Sequence, residues 1–146
     1  MASDHRRSRH PVNEGDEVAS DDLPPHVLIV DDEREIREML ALTFELEGFD
    51  VTTAADGHAA LAAIEQDPPD VVILDIMMPR LDGLTVLHRI KENDDTKRIP
   101  VMLLSAKAAP HDVEMGMRMG ADDYASKPID PLLLVERARA LIVFTT

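Results

Sequence analysis

Short apolar runs in this chain stop, one after another, on residues that carry chemistry. Val27-Leu28-Ile29-Val30 runs into Asp31-Asp32, Val71-Val72-Ile73-Leu74 into Asp75, Val101-Met102-Leu103-Leu104 into Ser105, and Tyr124-Ala125-Ser126 into Lys127-Pro128. A short run that is apolar without alternation suits a parallel strand covered by helices on both faces. If these runs lie side by side in one sheet, their last residues converge on one edge. That edge would hold three carboxylates, a hydroxyl and an ammonium, and it is the edge where open α/β sheets bind ligands.

The segments between the runs read as helices. From about Glu33 to Glu47, the residues Ile36, Met39, Leu40, Thr43 and Phe44 are spaced to form one buried stripe, and Gly48 ends the helix. Val51 to Ala54 reads as a strand, Gly57 to Gln66 as an Ala-rich helix, and Leu84 to Asn93 as a helix with Val86, Leu87 and Ile90 facing inward. Pro110 fits the first turn of a fourth helix, with Asp112 and Glu114 near its positive end. Asp123 to Ser126 is the last strand, and Pro131 to about Leu141 the last helix. Repeated β-α alternation predicts the α/β class with a doubly wound, five-stranded parallel sheet.

A chain of 146 residues accommodates one such domain, placed at residues 26–143. Residues 1–25 offer few large apolar side chains to offset the entropy of ordering. They mix Arg6, Arg7 and Arg9 with Glu14, Asp16, Glu17, Asp21 and Asp22, and are expected to form a disordered arm. A formal charge of −14 argues against direct nucleic acid binding through phosphates. No run approaches the roughly 18 apolar residues of a membrane span. With no signal-peptide pattern and no cysteine, a cytoplasmic location without membrane attachment is the expectation.

Carboxylates held about 5 Å apart at an effective dielectric near 20 repel by roughly 3 kcal/mol per pair. Three such pairs rival the ~5–15 kcal/mol stability of a whole domain. A site of this kind protonates, opens to water or binds a cation. All-oxygen ligation with room for water favours Mg²⁺, with Mn²⁺ as the alternative. The histidines at 5, 10, 26, 58, 88 and 111 form no zinc pattern.

Four stretches, in this order and at these separations, resemble a response-regulator receiver domain of two-component signalling. They are Val27 to Glu33; Asp75-Ile76-Met77-Met78-Pro79 with Asp82-Gly83; Leu103-Leu104-Ser105-Ala106; and Gly120-Ala121-Asp122-Asp123-Tyr124 through Lys127-Pro128. The resemblance implies a flavodoxin-like (βα)5 fold with strand order 2-1-3-4-5. It implies a phosphoryl group accepted on Asp75 from a sensor histidine kinase or phosphotransfer protein. Asp31, Asp32, Asp75 and the backbone carbonyl of Met77 would hold the metal. Lys127 and Ser105 would bind phosphoryl oxygens, and Tyr124 would change rotamer as Ser105 is drawn in. Such a protein is a phosphoacceptor switch limited to self-catalysed phosphotransfer and autodephosphorylation, not a turnover enzyme. In the family the residues two beyond the acceptor and two beyond the hydroxyl, here Met77 and Lys107, influence phosphoryl hydrolysis. Met77 is expected to crowd the attacking water. The family more often has Thr where Ser105 stands and Phe where Ile129 stands, and neither difference touches the chemistry.

Other readings compete with these roles. Asp32 with Glu35 would form a capping box on the first helix, although that leaves Asp31 unexplained. A Mg²⁺-dependent phosphohydrolase with Asp75 as nucleophile would need an acid/base carboxylate two residues on, where Met77 stands. A receiver-like interaction module that is never phosphorylated has no need to tolerate the carboxylate repulsion. Since only Ile142 to Thr146 follow the last helix, a stand-alone receiver is expected, signalling to a protein target through its fourth helix, fifth strand and fifth helix. The alternative is a receiver fragment of a longer DNA-binding regulator. Asp122 to Lys127 with Arg137 resembles receivers that dimerise through that face, but Val113, Met119 and Leu133 replace the charged residues of their cross-dimer ion pairs. A monomer or a weak phosphorylation-dependent dimer is therefore expected, and a cis peptide between Lys127 and Pro128.

Overall fold

Successive side chains of a strand point to opposite faces of its sheet, so a run that is apolar throughout must be covered on both sides. The structure, a computed structural model, describes residues 23–106 and 110–145. The arm expected over residues 1–25 lies outside them as far as Asp22, as does Lys107. The strands are β1 (His26–Val30), β2 (Asp50–Ala54), β3 (Val71–Asp75), β4 (Val101–Ser105) and β5 (Asp123–Ser126). The helices are α1 (Arg34–Leu46), α2 (Gly57–Gln66), α3 (Gly83–Glu92), α4 (Pro110–Arg118) and α5 (Pro131–Thr145). All strands pair in parallel in the order β2-β1-β3-β4-β5, the flavodoxin-like arrangement that the resemblance implies.

The strand alternation sorts the core into two layers. Val27 and Ile29 of β1, Val71 and Ile73 of β3 and Met102 and Leu104 of β4 face Leu40 and Phe44 of α1 and Leu134, Val135 and Ala138 of α5. Leu28, Val30, Val72, Leu74, Val101 and Leu103 face the other way, against Ala60 and Ile64 of α2 and Val86, Leu87 and Ile90 of α3. Burying each Leu, Ile or Val side chain contributes about 1.5–3 kcal/mol. Phe44→Ala, which would also leave a cavity beneath α1, is expected to cost about 3–5 kcal/mol.

Local chemistry sets the helix ends. Gly48 takes φ +95°, Phe49 N–H donates to Phe44 O and Gly48 N–H to Glu45 O. This double bond pattern closes α1 and brings the two phenyl rings edge to face at 4.9 Å. Asp56 and Asp82 cap α2 and α3, accepting from Ala59 and Thr85 N–H at 2.8 Å. Two helical expectations need correction. Met39 is 42% exposed, so the buried stripe of α1 is narrower than its spacing suggests. α5 continues past Leu141 to Thr145, because Leu141 and Ile142 still pack against the core.

The topology places the edge that matters. β1 connects outward to β2 and the chain then returns to β3 on β1's other side, so strand order reverses between β1 and β3. The register pairs Val30 with Leu74, Asp75 with Leu104, and Ser105 with Ser126. The residues ending β1, β3, β4 and β5 therefore emerge at one level, beside the switch point where such sheets bind ligands.

Candidate functional site

Asp31, Asp75, Ser105 and Lys127 meet at that edge. Asp31 and Ser105 are fully buried and Asp75 is 3% exposed, whereas Asp32 faces solvent. One carboxylate oxygen from each of Asp31, Asp32 and Asp75 lies within 4.8 Å of the other two. The repulsion anticipated for such a cluster is relieved by Lys127, whose Nζ lies 2.9 Å from Asp31 Oδ2, 3.0 Å from Glu33 Oε1 and 3.4 Å from Asp75 Oδ2. Lys127 is held from behind by its own N–H, which donates to Ser105 O at 2.8 Å. The Lys127–Pro128 peptide is cis, as expected.

Backbone geometry aims the Asp75 carboxylate. Ile76 N–H donates to Leu104 O, extending the β3–β4 pairing past Asp75. Asp75 Oδ1 accepts from Met77 N–H at 3.1 Å. The start of α3 then presses against this turn: Gly83 N–H donates to Ile76 O, and a Cβ on Gly83 would overlap the Asp75 carbonyl oxygen. Only glycine lets the helix approach so closely.

Electrostatics follow from burial. Desolvation, then the charge of Asp31, raises the Asp75 pKa from 3.8 to about 6, against the opposing pull of Lys127 and of the Met77 N–H. For Lys127, burial on its own would lower the pKa, but Asp31 and Glu33, joined by the charge of Asp75, push it above the usual lysine range. Asp31 Oδ1 accepts from Glu33 N–H at 2.8 Å. Asp31 Oδ2 is buried and faces the Lys127 ammonium at 2.9 Å. It keeps a further lone pair for a cation. The span of 4.8 Å is near the about 4.2 Å between opposite oxygens of a Mg²⁺ octahedron, and the exposed Asp32 leaves one side open to water. The donor set thus fits a hydrated Mg²⁺.

The remaining sequence-derived candidates fall around this centre. Asp32 does not cap α1: the N-cap is Glu33, without a side-chain cap bond, and the capping box with Glu35 does not form. The Met77 side chain is 58% exposed over the turn. Tyr124 on β5 is half-buried against the α2–α3 layer of the core. On the neighbouring face, Met115, Met117, Leu132 and Leu133 are exposed. Arg137 pairs with Asp123 of its own chain at 2.6 Å and also donates to Tyr124 O. Beside Lys127 runs a groove of about 440 Å³ walled by Ile36, Met39 and Leu40 of α1 and by Pro128 and Ile129. Sequence reasoning missed Glu33 as a partner of Lys127; its position directly after Asp31-Asp32 was the available signal.

Comparison with known proteins adds an independent line. The family model described as response regulator receiver domain matches residues 27–139. The chain is 44% identical over 117 residues to the transcriptional regulatory protein CseB of Streptomyces coelicolor, covering 80% of this chain and 49% of that protein. It is 41% identical over 124 residues to the response regulator MprA of Mycolicibacterium vanbaalenii, covering 85% and 53%. The chain thus spans about half the length of these curated relatives. Its fold superimposes on the receiver domain of the Francisella response regulator 1452 with a TM-score of 0.77 at 35% identity, covering 84% of this chain and 99% of that one.

Proposed function

Because the chain belongs to the response regulator receiver domain family, we propose that it is a phosphorylation switch whose acceptor is Asp75. The observation that carries this reading is the burial of the Asp75 carboxylate between Asp31 and Lys127 at the topological switch point. With a pKa of about 6, Asp75 is mainly ionised at neutral pH and is more basic than a free carboxylate, as a nucleophile toward phosphorus should be. In transfer from a phosphohistidine donor, an Asp75 oxygen forms a bond to phosphorus. The phosphorus–nitrogen bond breaks, and the imidazole leaves with the electron pair. Lys127 and the Ser105 hydroxyl receive the charge on the phosphoryl oxygens, so the protein contributes positioning and electrostatics.

Asp31, Asp32, Asp75 and the Met77 carbonyl would hold Mg²⁺. When bound, the ion supplies positive charge that offsets repulsion between the carboxylates and the incoming dianion. The donor, a histidine kinase or phosphotransfer protein, has room to lay an apolar helix face along the groove beside Lys127.

Output runs through Ser105 and Tyr124. Moving a two-state equilibrium from 1:99 to 99:1 takes about 5.5 kcal/mol, within reach of a buried dianion gripped by a cation, an ammonium and a hydroxyl. The face of α4, β5 and α5, with its exposed methionines and leucines, is the proposed contact for a protein target. Arg137 is already engaged by Asp123, which supports a monomer or a weak dimer over one built on cross-chain ion pairs. No helix among the described residues is long and apolar enough to cross a membrane, and the proposed setting is the cytoplasm. The match leaves about half of each curated relative uncovered, so this function is that of the receiver, residues 26–143, alone.

The deciding experiment is intact-mass spectrometry after incubation with acetyl phosphate and Mg²⁺. One phosphoryl adduct that requires both Mg²⁺ and Asp75, judged against Asp75→Ala, supports the switch. No adduct on the wild-type chain would leave an interaction module that shares the fold.

A further inference from the structure

Four carboxylates surround the site but only three belong to the proposed metal cluster, and the fourth, Glu33, sits where its chemistry is unused by that reading. Its backbone is pinned, because Glu33 N–H donates to the buried Asp31 Oδ1 at 2.8 Å. It is the N-cap of α1, yet its side chain makes no cap bond. The carboxylate instead reaches across to Lys127 Nζ at 3.0 Å, closer than the 3.4 Å from that ammonium to Asp75. Glu33 is 59% exposed at this contact while Lys127 is 9% exposed. The pair therefore joins a buried cation to a carboxylate that water can solvate on release.

We propose that Glu33 is a positioning residue that draws the Lys127 ammonium toward Asp31 and the start of α1, so that it meets Asp75 only at 3.4 Å, and so sets how readily the site takes a phosphoryl group. This rests on the reading of Asp75 as acceptor. Lys127 must turn toward the oxygens of a group arriving on Asp75, and the contact that yields is the exposed one. Asp31, fully buried, has no water to replace its lysine, whereas an exposed ion pair is weak. Removing the Glu33 charge frees the ammonium in advance, so Glu33→Gln accepts phosphoryl groups faster than the wild type.

The test measures the rate of phosphorylation by acetyl phosphate with saturating Mg²⁺ for wild type, Glu33→Gln, Glu33→Asp and Glu35→Gln. Glu35 is the neighbouring exposed carboxylate in the first turn of α1. A ¹⁵N spectrum of the lysine ammonium groups, recorded without phosphodonor, accompanies it. We expect Glu33→Gln to be faster by about two- to fivefold, the range that an exposed ion pair can supply, with the gain shrinking in high salt, where the wild-type pair is itself screened. Glu35→Gln should stay near the wild type, and the Lys127 signal should shift only when Glu33 changes. The shorter carboxylate of Glu33→Asp should fall between wild type and Glu33→Gln. An unchanged or slower Glu33→Gln overturns the proposal. So does an equal gain in Glu35→Gln, since that would be general repulsion of an anionic donor. If even the wild type forms no adduct, the acceptor reading fails instead. In that case an unshifted Lys127 signal in Glu33→Gln separately overturns the parking contact, and a shifted one upholds it.

Discussion

Lys127 Nζ lies 3.4 Å from Asp75 Oδ2, and 52 positions of sequence separate the two residues. The same ammonium also serves Asp31, so one cation stands between two buried carboxylates. Lys127→Met would leave those charges facing each other in a dry site. Breaking a buried ion pair on one side costs about 3–5 kcal/mol. Urea unfolding of Lys127→Met at pH 7 should show a loss of about 3 kcal/mol, smaller at pH 5, where Asp75 is protonated. Equal losses at both pH values would mean that the lysine stabilises by packing alone.

Asp75 carries the opposite liability. Its folded pKa of about 6 exceeds the ordinary 3.8. Between those values the folded chain keeps a proton that the unfolded chain has released, so stability falls as pH rises through that window. Two pKa units correspond to about 3 kcal/mol. Asp75→Asn, which cannot ionise, should be more stable than the wild type by about 1–3 kcal/mol at pH 7.5. The gain should fade as pH drops toward 4. Denaturant midpoints across this range measure it, and a gain independent of pH would contradict the electrostatic cause.

Gly83 sets the distance between α3 and the acceptor turn. A methyl group there would press on the Asp75 carbonyl oxygen and the Ile76 Cα. Gly83→Ala should lower stability by about 1–3 kcal/mol, the usual penalty of overpacking, and slow phosphorylation as Asp75 moves. A variant with wild-type stability would show that the turn can shift freely.

Met77 lies two residues after Asp75, with 58% of its surface exposed. Its thioether and methyl group offer a water molecule no strong hydrogen bond, whereas an amide side chain would. Met77→Asn should shorten the half-life of the phosphorylated form several-fold, followed by loss of the mass adduct after the donor is removed. An unchanged half-life would remove Met77 from control of hydrolysis.

Much of this arrangement is legible in the sequence, for a definite reason. Fully buried strands need uninterrupted apolar runs, so Val27–Val30, Val71–Leu74 and Val101–Leu104 announced themselves and fixed where Asp31, Asp75 and Ser105 would emerge. Met39 misled because its spacing on α1 fits the stripe, while the width of the contact depends on what packs opposite. The competing capping role of Asp32 fails because α1 starts one residue later, with Glu33 as its N-cap. The reach of Glu33 to Lys127 was hidden for a related reason. A long exposed side chain chooses its partner in three dimensions, and its place beside Asp31-Asp32 marks the site without naming a partner 94 residues ahead.

β5 contributes the last strand of the sheet, and with it Lys127. A molecule in which β5 and α5 have come undocked still has Asp31, Asp32 and Asp75 but lacks the ammonium that makes them tolerable neighbours. Sheet edges and terminal helices are among the segments that open locally while a core persists. Such a partly opened molecule would repel an incoming phosphoryl group. On the proposed function, phosphorylation would thereby act as an integrity check, open only to a molecule in which β5 has docked beside β4.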